Sequence, residues 1–510
     1  MNLTELTAGN LLTKQSMRNP NKEAVVFLGQ RFTYEQLNKR VNALAHALIE
    51  RGLNKGDKVS ILFGNSTQFI ESYFAVVKSG GVAVTLNSRN SAKEICQNIK
   101  SSDSKMLIYS DAFLETVNEI RNISPSVKKY ILLGEARNKG DELPDEVIKS
   151  YSSDEPNIEV KETDDCEILF TGGTTGVSKG VVRTHHNVIW SGMLSAHDLR
   201  FNDDTRVLVT APLFHVAAFD DLLVGAITAG AFMSIMPAFD PVKCLENIKN
   251  EQLNYAFFVP LMFRVLTSIP NVKDYLGSMR IWGSAAAPMP TDLHHKILAM
   301  FPDITLYEVF GQTENPWITV VFSHNSVDKA ASCGKAATHN IVKIFDENGK
   351  EMLTGEIGEI VVQGPATMKE YYKNQSETEK TLKDGWLHTG DVGKLDDDGY
   401  LYIVDRKKDM IISGGENVYA VEVENVLIKH PKIQEAAVIG LPDPLWGEIV
   451  TAVLVLKPDA SATEEEIIQY AKENLTHYKC PKSIKFTDSL PKSTLMKVLK
   501  QELKKKYSTT

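Results

Sequence analysis

A chain of 510 residues, 43% hydrophobic and 24% charged, has the make-up of a globular protein, and its length exceeds what one core usually organises, so two or more domains are expected. The net charge of −9 and a pI near 5.8 exclude nucleic acid as a main partner, because neutralising phosphates needs a basic face. Five scattered cysteines without a CxxC pair exclude a disulfide framework or a zinc site and point to a reducing cytoplasm; with no secretory-type leader and no run of roughly 20 apolar residues, a soluble protein is expected.

Residues 32–110 alternate two patterns. "TYEQLNKRVNALAHALIERG" and "STQFIESYFAVVKSG" carry apolar residues at helical spacing, whereas "DKVSILF" and "VAVTLN" are strand-like. The rhythm continues through "KMLIYS", "KYILL", "RVLVTAP", "FMSIM" and "YAFFVP", which predicts an α/β protein with largely parallel sheets. From about Asn340 short strands with Asn-Gly and Asp-Gly turns predict a small antiparallel, β-barrel-like unit. After Arg406, "EVENVLIKHP" (helix), "IQEAAVIGLP" and "EIVTAVLVLKP" (strands) and "TEEEIIQYAKENL" (helix) predict a small α+β domain. The expected division is therefore 1–405 and 409–510, with "DRKKDM" as a polar surface turn at the joint.

The richest stretch is "FTGGTTGVSKG", Phe170–Gly180, which follows the apolar "CEIL". It is not a Walker A loop, whose lysine is preceded by glycine and followed by Ser or Thr. Gly176-Val177-Ser178-Lys179-Gly180 matches GxSxG, but a nucleophile elbow needs a helix next, and "VVRTHHNV" starts as a strand. The third reading is a flexible loop between two strands: the hydroxyls of Thr171, Thr174, Thr175 and Ser178, backbone N–H groups and Lys179 close over phosphate oxygens.

"FTGGTTGVSKG" resembles the phosphate-binding loop of the acyl-activating, adenylate-forming enzymes. "YEVFGQTE" (307–314), "GWLHTGDVG" (385–393), "DRKKDMIISGGENVY" (405–419) and "LPKSTLMKVLK" (490–500) resemble four later motifs of that family, in order, over nearly the whole chain. The resemblance is strongest to bacterial fatty-acid and acyl-CoA synthetases. It implies a large N-terminal domain, a small mobile C-terminal domain, and two half-reactions: an acid and ATP give acyl-AMP and pyrophosphate, and a thiol then displaces AMP. The first step presses a carboxylate against an α-phosphate, so positive charge at that point is the main catalytic device.

The resemblance also implies residue roles. Thr171, Gly172, Gly173, Thr174, Thr175, Gly176, Ser178 and Lys179 would bind the ATP phosphates. Glu314 would hold Mg²⁺, with Thr313 on the α-phosphate side. Glu308, Val309, Phe310 and Gly311 would line the adenine, Phe310 stacking on it. Asp391 would accept the ribose hydroxyls, with Arg406 beside it. Lys497 would neutralise the meeting carboxylate and phosphate. Rotation about Lys408 would then replace Lys497 by the loop of Gly414, Gly415 and Glu416, lining a pantetheine tunnel. His215 in "PLFHVAAF" and Gly283, Ser284, Ala285 and Ala286 in "GSAAAP" resemble walls of the acyl pocket. The chain departs from the family at Met496, where glycine precedes the lysine, and at Ser178 and Ala420, where proline is usual. The pairs His185-His186 and His294-His295 are discounted as metal ligands, since adjacent side chains point apart.

The reading is an ATP- and Mg²⁺-dependent acid–thiol ligase making acyl-CoA from a fatty or related monocarboxylic acid. Its partners are the acid, ATP and CoA, with a homodimer open. The alternatives left open are an enzyme loading a carrier-protein phosphopantetheine, an aryl or dicarboxylic acid–CoA ligase, and a nucleotide-binding regulator without catalysis.

Overall fold

The protein's computed structural model describes residues 3–123, 127–135, 138, 140–171, 178–285, 289–322, 329, 332–414, 416–492 and 498–508. The chain forms two compact units, Met1–Ile341 with Val362–Leu387, and Val342–Val361 with His388–Thr510.

The first unit is α/β, with two sheets. The nine-stranded sheet runs Lys335–Ala336, Asn315–Phe322, Thr305–Gln312, Ile281–Ser284, Tyr255–Phe257, Arg206–Val209, Phe232–Ile235, Glu23–Phe27, Gln30–Thr33. Its six strands from Thr305–Gln312 to Glu23–Phe27 are parallel. In the seven-stranded sheet Asp165–Phe170, Val82–Thr85, Lys58–Leu62, Met106–Ser110 and Lys129–Leu133 are parallel. The apolar runs from "DKVSILF" to "YAFFVP" that the sequence marks as strands lie in these two sheets, largely buried as continuous hydrophobic segments. Helix Thr67–Lys78 packs between the sheets and buries every residue but Gln68, which is why its pattern is apolar nearly all round. Helix Tyr34–Glu50 begins at a reciprocal cap between Thr33 and Gln36.

Strand Trp386–Leu395, which belongs to the second unit from His388 on, pairs antiparallel with Leu401–Arg406. The C-terminal part is α+β: Ile433–Asp443 and Gly447–Leu456 form a long hairpin, with Ile411–Ser413, Glu416–Val418 and Ser483–Phe486 completing the sheet. Two observations differ from the sequence expectation. Residues 342–361 and 388–406 group with the C-terminal segment, because helix Ala420–Leu427 packs on strand Leu401–Arg406. "DRKKDM" is also not wholly a surface turn. Asp405 and Arg406 close the strand, and Asp405 is 2% exposed, accepting backbone hydrogen bonds from Arg406 (2.7 Å) and Val421 (3.4 Å). Paired carboxylate oxygens make such burial tolerable where polarity alone predicted exposure.

Candidate active site

The glycine-rich stretch joins two paired strands. Strand Asp165–Phe170 pairs antiparallel with Gly180–Thr184, and the Thr171 N–H donates to the Lys179 carbonyl (3.0 Å), closing the neck. A strand, not a helix, follows Gly180, so the nucleophile-elbow geometry is absent. Thr171, Ser178 and Lys179 sit half-buried at the neck; Gly172, Gly173, Thr174, Thr175 and Gly176 lie outside the described residues.

The "FGQTE" residues form a second hairpin. Gln312 pairs with Asn315, which leaves Thr313 and Glu314 as the two-residue tip. Gly311 sits in a bulge before it, where a Cβ would run into the Pro316 carbonyl, so glycine is required by close approach. Phe310 is half-buried, Val309 buried, and Glu308 faces buried His294, Oε1 to Nδ1 3.1 Å.

One short strand joins the two hairpins. Glu370–Tyr371 pairs with Gly180–Thr184, and the Tyr371 hydroxyl donates to Oε1 of Glu314 at 2.5 Å, while the Met368 N–H donates to the Glu314 carbonyl (2.7 Å). The Lys179 ammonium stands 4.9 Å from the Tyr371 ring centroid and 2.5 Å from Glu377. Cation and carboxylate are thus held on either side of one tyrosine. The donor set fits a Mg²⁺ brought by nucleotide phosphates: Glu314 keeps Oε2 without a partner among the described residues, no cage of three or more His, Cys, Asp or Glu exists among them, and Mg²⁺ needs one or two carboxylates plus phosphate oxygens and water.

The acid-side candidates lie at the carboxyl ends of the parallel strands. The chain runs from Arg206–Val209 to its neighbour Phe232–Ile235 on one side, then to Tyr255–Phe257 on the other, so the strand order reverses there. Open α/β sheets bind ligands at such a reversal. His215 follows the reversal strand; burial pushes its imidazole down to about 4, and its buried Nε2 has no hydrogen-bond partner among the described residues, unlike a satisfied core histidine. Ser284 is also buried, with an Oγ unpartnered among the described residues. Gly283 takes no Cβ because the Tyr307 hydroxyl fills that space, and Ala285 is half-buried. Ala286 lies outside the described residues. Trp282 and Trp317 are core, both 0% exposed. His185 and His294 are buried while their neighbours His186 and His295 face outward, as expected of adjacent residues.

Sequence reasoning missed a buried ion cluster on the two strands that flank the glycine-rich stretch. Arg183 donates from Nη1 to Glu167 (3.0 Å), and from both terminal nitrogens to Asp220 (2.8 and 3.2 Å); Tyr73 donates to Glu167 (2.9 Å). Arg183, Glu167 and Asp220 are each 0% exposed. They tie both strands of the loop hairpin to the π-helical turn Ala218–Val224 that follows His215. The signal was an arginine inside the apolar run "GVVRT".

In the second unit, Asp391 and Arg406 face each other across paired strands, Oδ1 to Nε 3.2 Å, with the Asp391 N–H on Thr389 (3.1 Å). The resemblance implies Asp391 on the ribose and Arg406 on the ribose or a phosphate, and the structure brings the two side chains together. Lys408 is exposed in the turn after Arg406, closed by Asp409 and Met410 N–H groups on the Arg406 carbonyl (2.9 and 3.0 Å). Gly414 has φ +62° and donates to the Trp446 carbonyl (2.8 Å), and a Cβ there would meet the indole. Glu416 is exposed. Gly415, Met496 and Lys497 lie outside the described residues. No helix among the described residues is long and apolar enough to cross a membrane.

The family profile for the AMP-binding enzyme matches residues 12–372, and that for its C-terminal domain matches 422–497. The chain is 35% identical to the long-chain-fatty-acid–CoA ligase FadD13 of Mycobacterium tuberculosis over 98% of this chain and 99% of that protein. It is 33% identical to the feruloyl-CoA synthase of an Amycolatopsis species, again over 98% and 99%. The crystal structure of ATP-bound MatB from Rhodopseudomonas palustris superposes with a TM-score of 0.90 at 28% identity, covering 98% of this chain and 99% of that one. Glycine-rich hairpin, "FGQTE" tip, paired Asp391 and Arg406 and full-length likeness agree: the chain belongs to the AMP-binding enzyme family, the adenylate-forming, acyl-CoA-synthetase-like enzymes.

Proposed function

We propose that this chain activates a monocarboxylic acid, fatty or related, as its acyl-AMP and passes the acyl group to CoA. It is an AMP-forming acid–thiol ligase of the acyl-CoA synthetase type; the choice of acid and the division of labour among residues are the proposal. The observation that carries it is the Lys179–Tyr371–Glu314 arrangement, which sets a phosphate-loop cation beside a metal-type carboxylate on one strand.

Thr171, Ser178 and Lys179, with the loop residues 172–176, hold the β- and γ-phosphates. Thr313 hydrogen-bonds the α-phosphate, and Glu314 would hold Mg²⁺, which supplies charge neutralisation across the phosphates. Phe310 stacks on adenine, Asp391 takes the ribose, and Arg406 adds a contact to the ribose or a phosphate. His215, neutral because burial keeps it so, and Ser284 offer polar atoms to the acid's carboxylate, with Ala285 leaving room beside its chain and Gly283 letting the Tyr307 hydroxyl close the wall behind it. Lys497 neutralises the carboxylate and α-phosphate oxygens as they approach, the point where electrostatic stabilisation matters most. Rotation at Lys408 then exchanges Lys497 for Gly414, Gly415 and Glu416, so that the thiol reaches the acyl carbonyl.

CoA is the thiol favoured by the names of the full-length relatives, and a fatty or aryl acid is favoured by the same names. Splitting the half-reactions tests the assignment. Lys497→Ala is expected to abolish acyl-AMP formation and leave thioester formation from supplied acyl-AMP largely intact; Gly415→Leu is expected to do the reverse. Equal damage to one step by both variants would overturn the exchange at Lys408.

A further inference from the structure

Lys179 does not project freely from the end of its loop. Its ammonium lies 2.5 Å from Oε2 of Glu377, on helix Gln375–Thr381, and over the Tyr371 ring. Nothing above gives Glu377 a part in the reaction. The pair is open to water, with Lys179 26% and Glu377 31% exposed. Glu377 has a second counter-ion, Lys380 at 2.9 Å, so its carboxylate is not stranded when Lys179 leaves. Lys179 in turn faces the Tyr371 ring, which attracts a cation whatever its other partner. Both sides of the pair can therefore separate at low cost, as exposed ion pairs do.

We propose that Glu377 is an internal competitor for the ATP phosphates: its carboxylate occupies Lys179 in the free enzyme and yields to a phosphate oxygen when the nucleotide binds. Glu377 is thus a residue that sets ATP affinity without touching the nucleotide. A phosphate of higher charge displaces a single carboxylate, and Lys380 keeps the released side chain on its own helix. The inference rests on the reading of Lys179 as a phosphate ligand, and the test separates the two.

The experiment is calorimetric titration of MgATP, without acid, into the full chain and the variants Glu377→Gln, Lys179→Ala and the double variant. Glu377→Gln keeps the side chain's shape and is expected to bind MgATP roughly two- to fivefold more tightly, the range set by an exposed ion pair. Lys179→Ala is expected to bind it more weakly, and adding Glu377→Gln to Lys179→Ala is expected to change nothing, since the competition has no object. If Lys179→Ala weakens binding while Glu377→Gln binds as wild type or less well, the competition is overturned and the phosphate reading stands. A gain from Glu377→Gln that persists without Lys179 also overturns it, since that is the general effect of removing a negative charge. If Lys179→Ala binds MgATP as wild type does, the phosphate reading fails and takes the competition with it.

Discussion

Lys179 and Arg183 stand four positions apart along one hairpin arm, and their ion pairs are of opposite kinds. Lys179 meets Glu377 at the protein–water boundary, with both partners about a quarter to a third exposed. Arg183 meets Glu167 and Asp220 where none of the three touches solvent. Water competes for the first pair and makes it exchangeable. The second lost its hydration on folding and holds only because each charge has a partner. One arm thus combines a rigid root with a solvent-exposed cation, as the proposed phosphate-binding role of Lys179 requires.

The carboxylates record the same contrast. Lys179 and Lys380 draw Glu377 down to about 2. Burial is the largest influence on Glu167 and, opposed by Arg183, pushes it up to about 7.

The largest difference between the two ion pairs is expected at the buried root. Arg183→Met strands two buried carboxylates and is expected to cost about 3–5 kcal/mol in urea unfolding, while Lys179→Met stays within about 1 kcal/mol; equal costs would erase the distinction. Binding should invert that order, with Lys179→Ala weakening MgATP by about 1.5–3 kcal/mol, roughly ten- to a hundredfold in Kd. The pH dependence sharpens it further. A carboxyl raised on folding contributes stability fully below its usual value of 4.5 and loses it as pH rises through about 7. The stability of wild type relative to Glu167→Gln should therefore fall by on the order of 1–3 kcal/mol between those values, whereas Glu377→Gln should track wild type across the same window. The smallest effect is expected at Tyr371→Phe, which removes one donor to Glu314. About 1 kcal/mol should appear as a several-fold rise in the Mg²⁺ concentration giving half-maximal ATP binding, with unfolding unchanged.

What the sequence carried was local. The apolar run before "FTGGTTGVSKG" and the β-branched residues after it already placed the loop between two strands, and the pairing of Leu169 with Val181 agrees. Gly311 and Gly414 stood in motifs because one meets a backbone carbonyl and the other has a positive φ. The partners were out of reach. Tyr371 lies 57 positions from Glu314, and Glu377 lies 198 from Lys179, so no periodicity of 2 or 3.6 residues links them. Asp405 was misjudged because polarity stood for exposure, while two backbone N–H groups pay for its burial. The grouping of 342–361 with 388–510 depends on packing between segments that composition does not mark.

The central claim is the reaction, and its most direct test is acid-dependent exchange of labelled pyrophosphate into ATP over fatty, aryl and dicarboxylic acids, followed by adding CoA with the best acid. Exchange is expected with a fatty or related monocarboxylic acid, then acyl-CoA and AMP in equal amounts. Exchange without acyl-CoA would contradict CoA as the thiol and point to a carrier-protein phosphopantetheine, and no exchange with any acid of the panel would contradict the activation of a carboxylic acid itself.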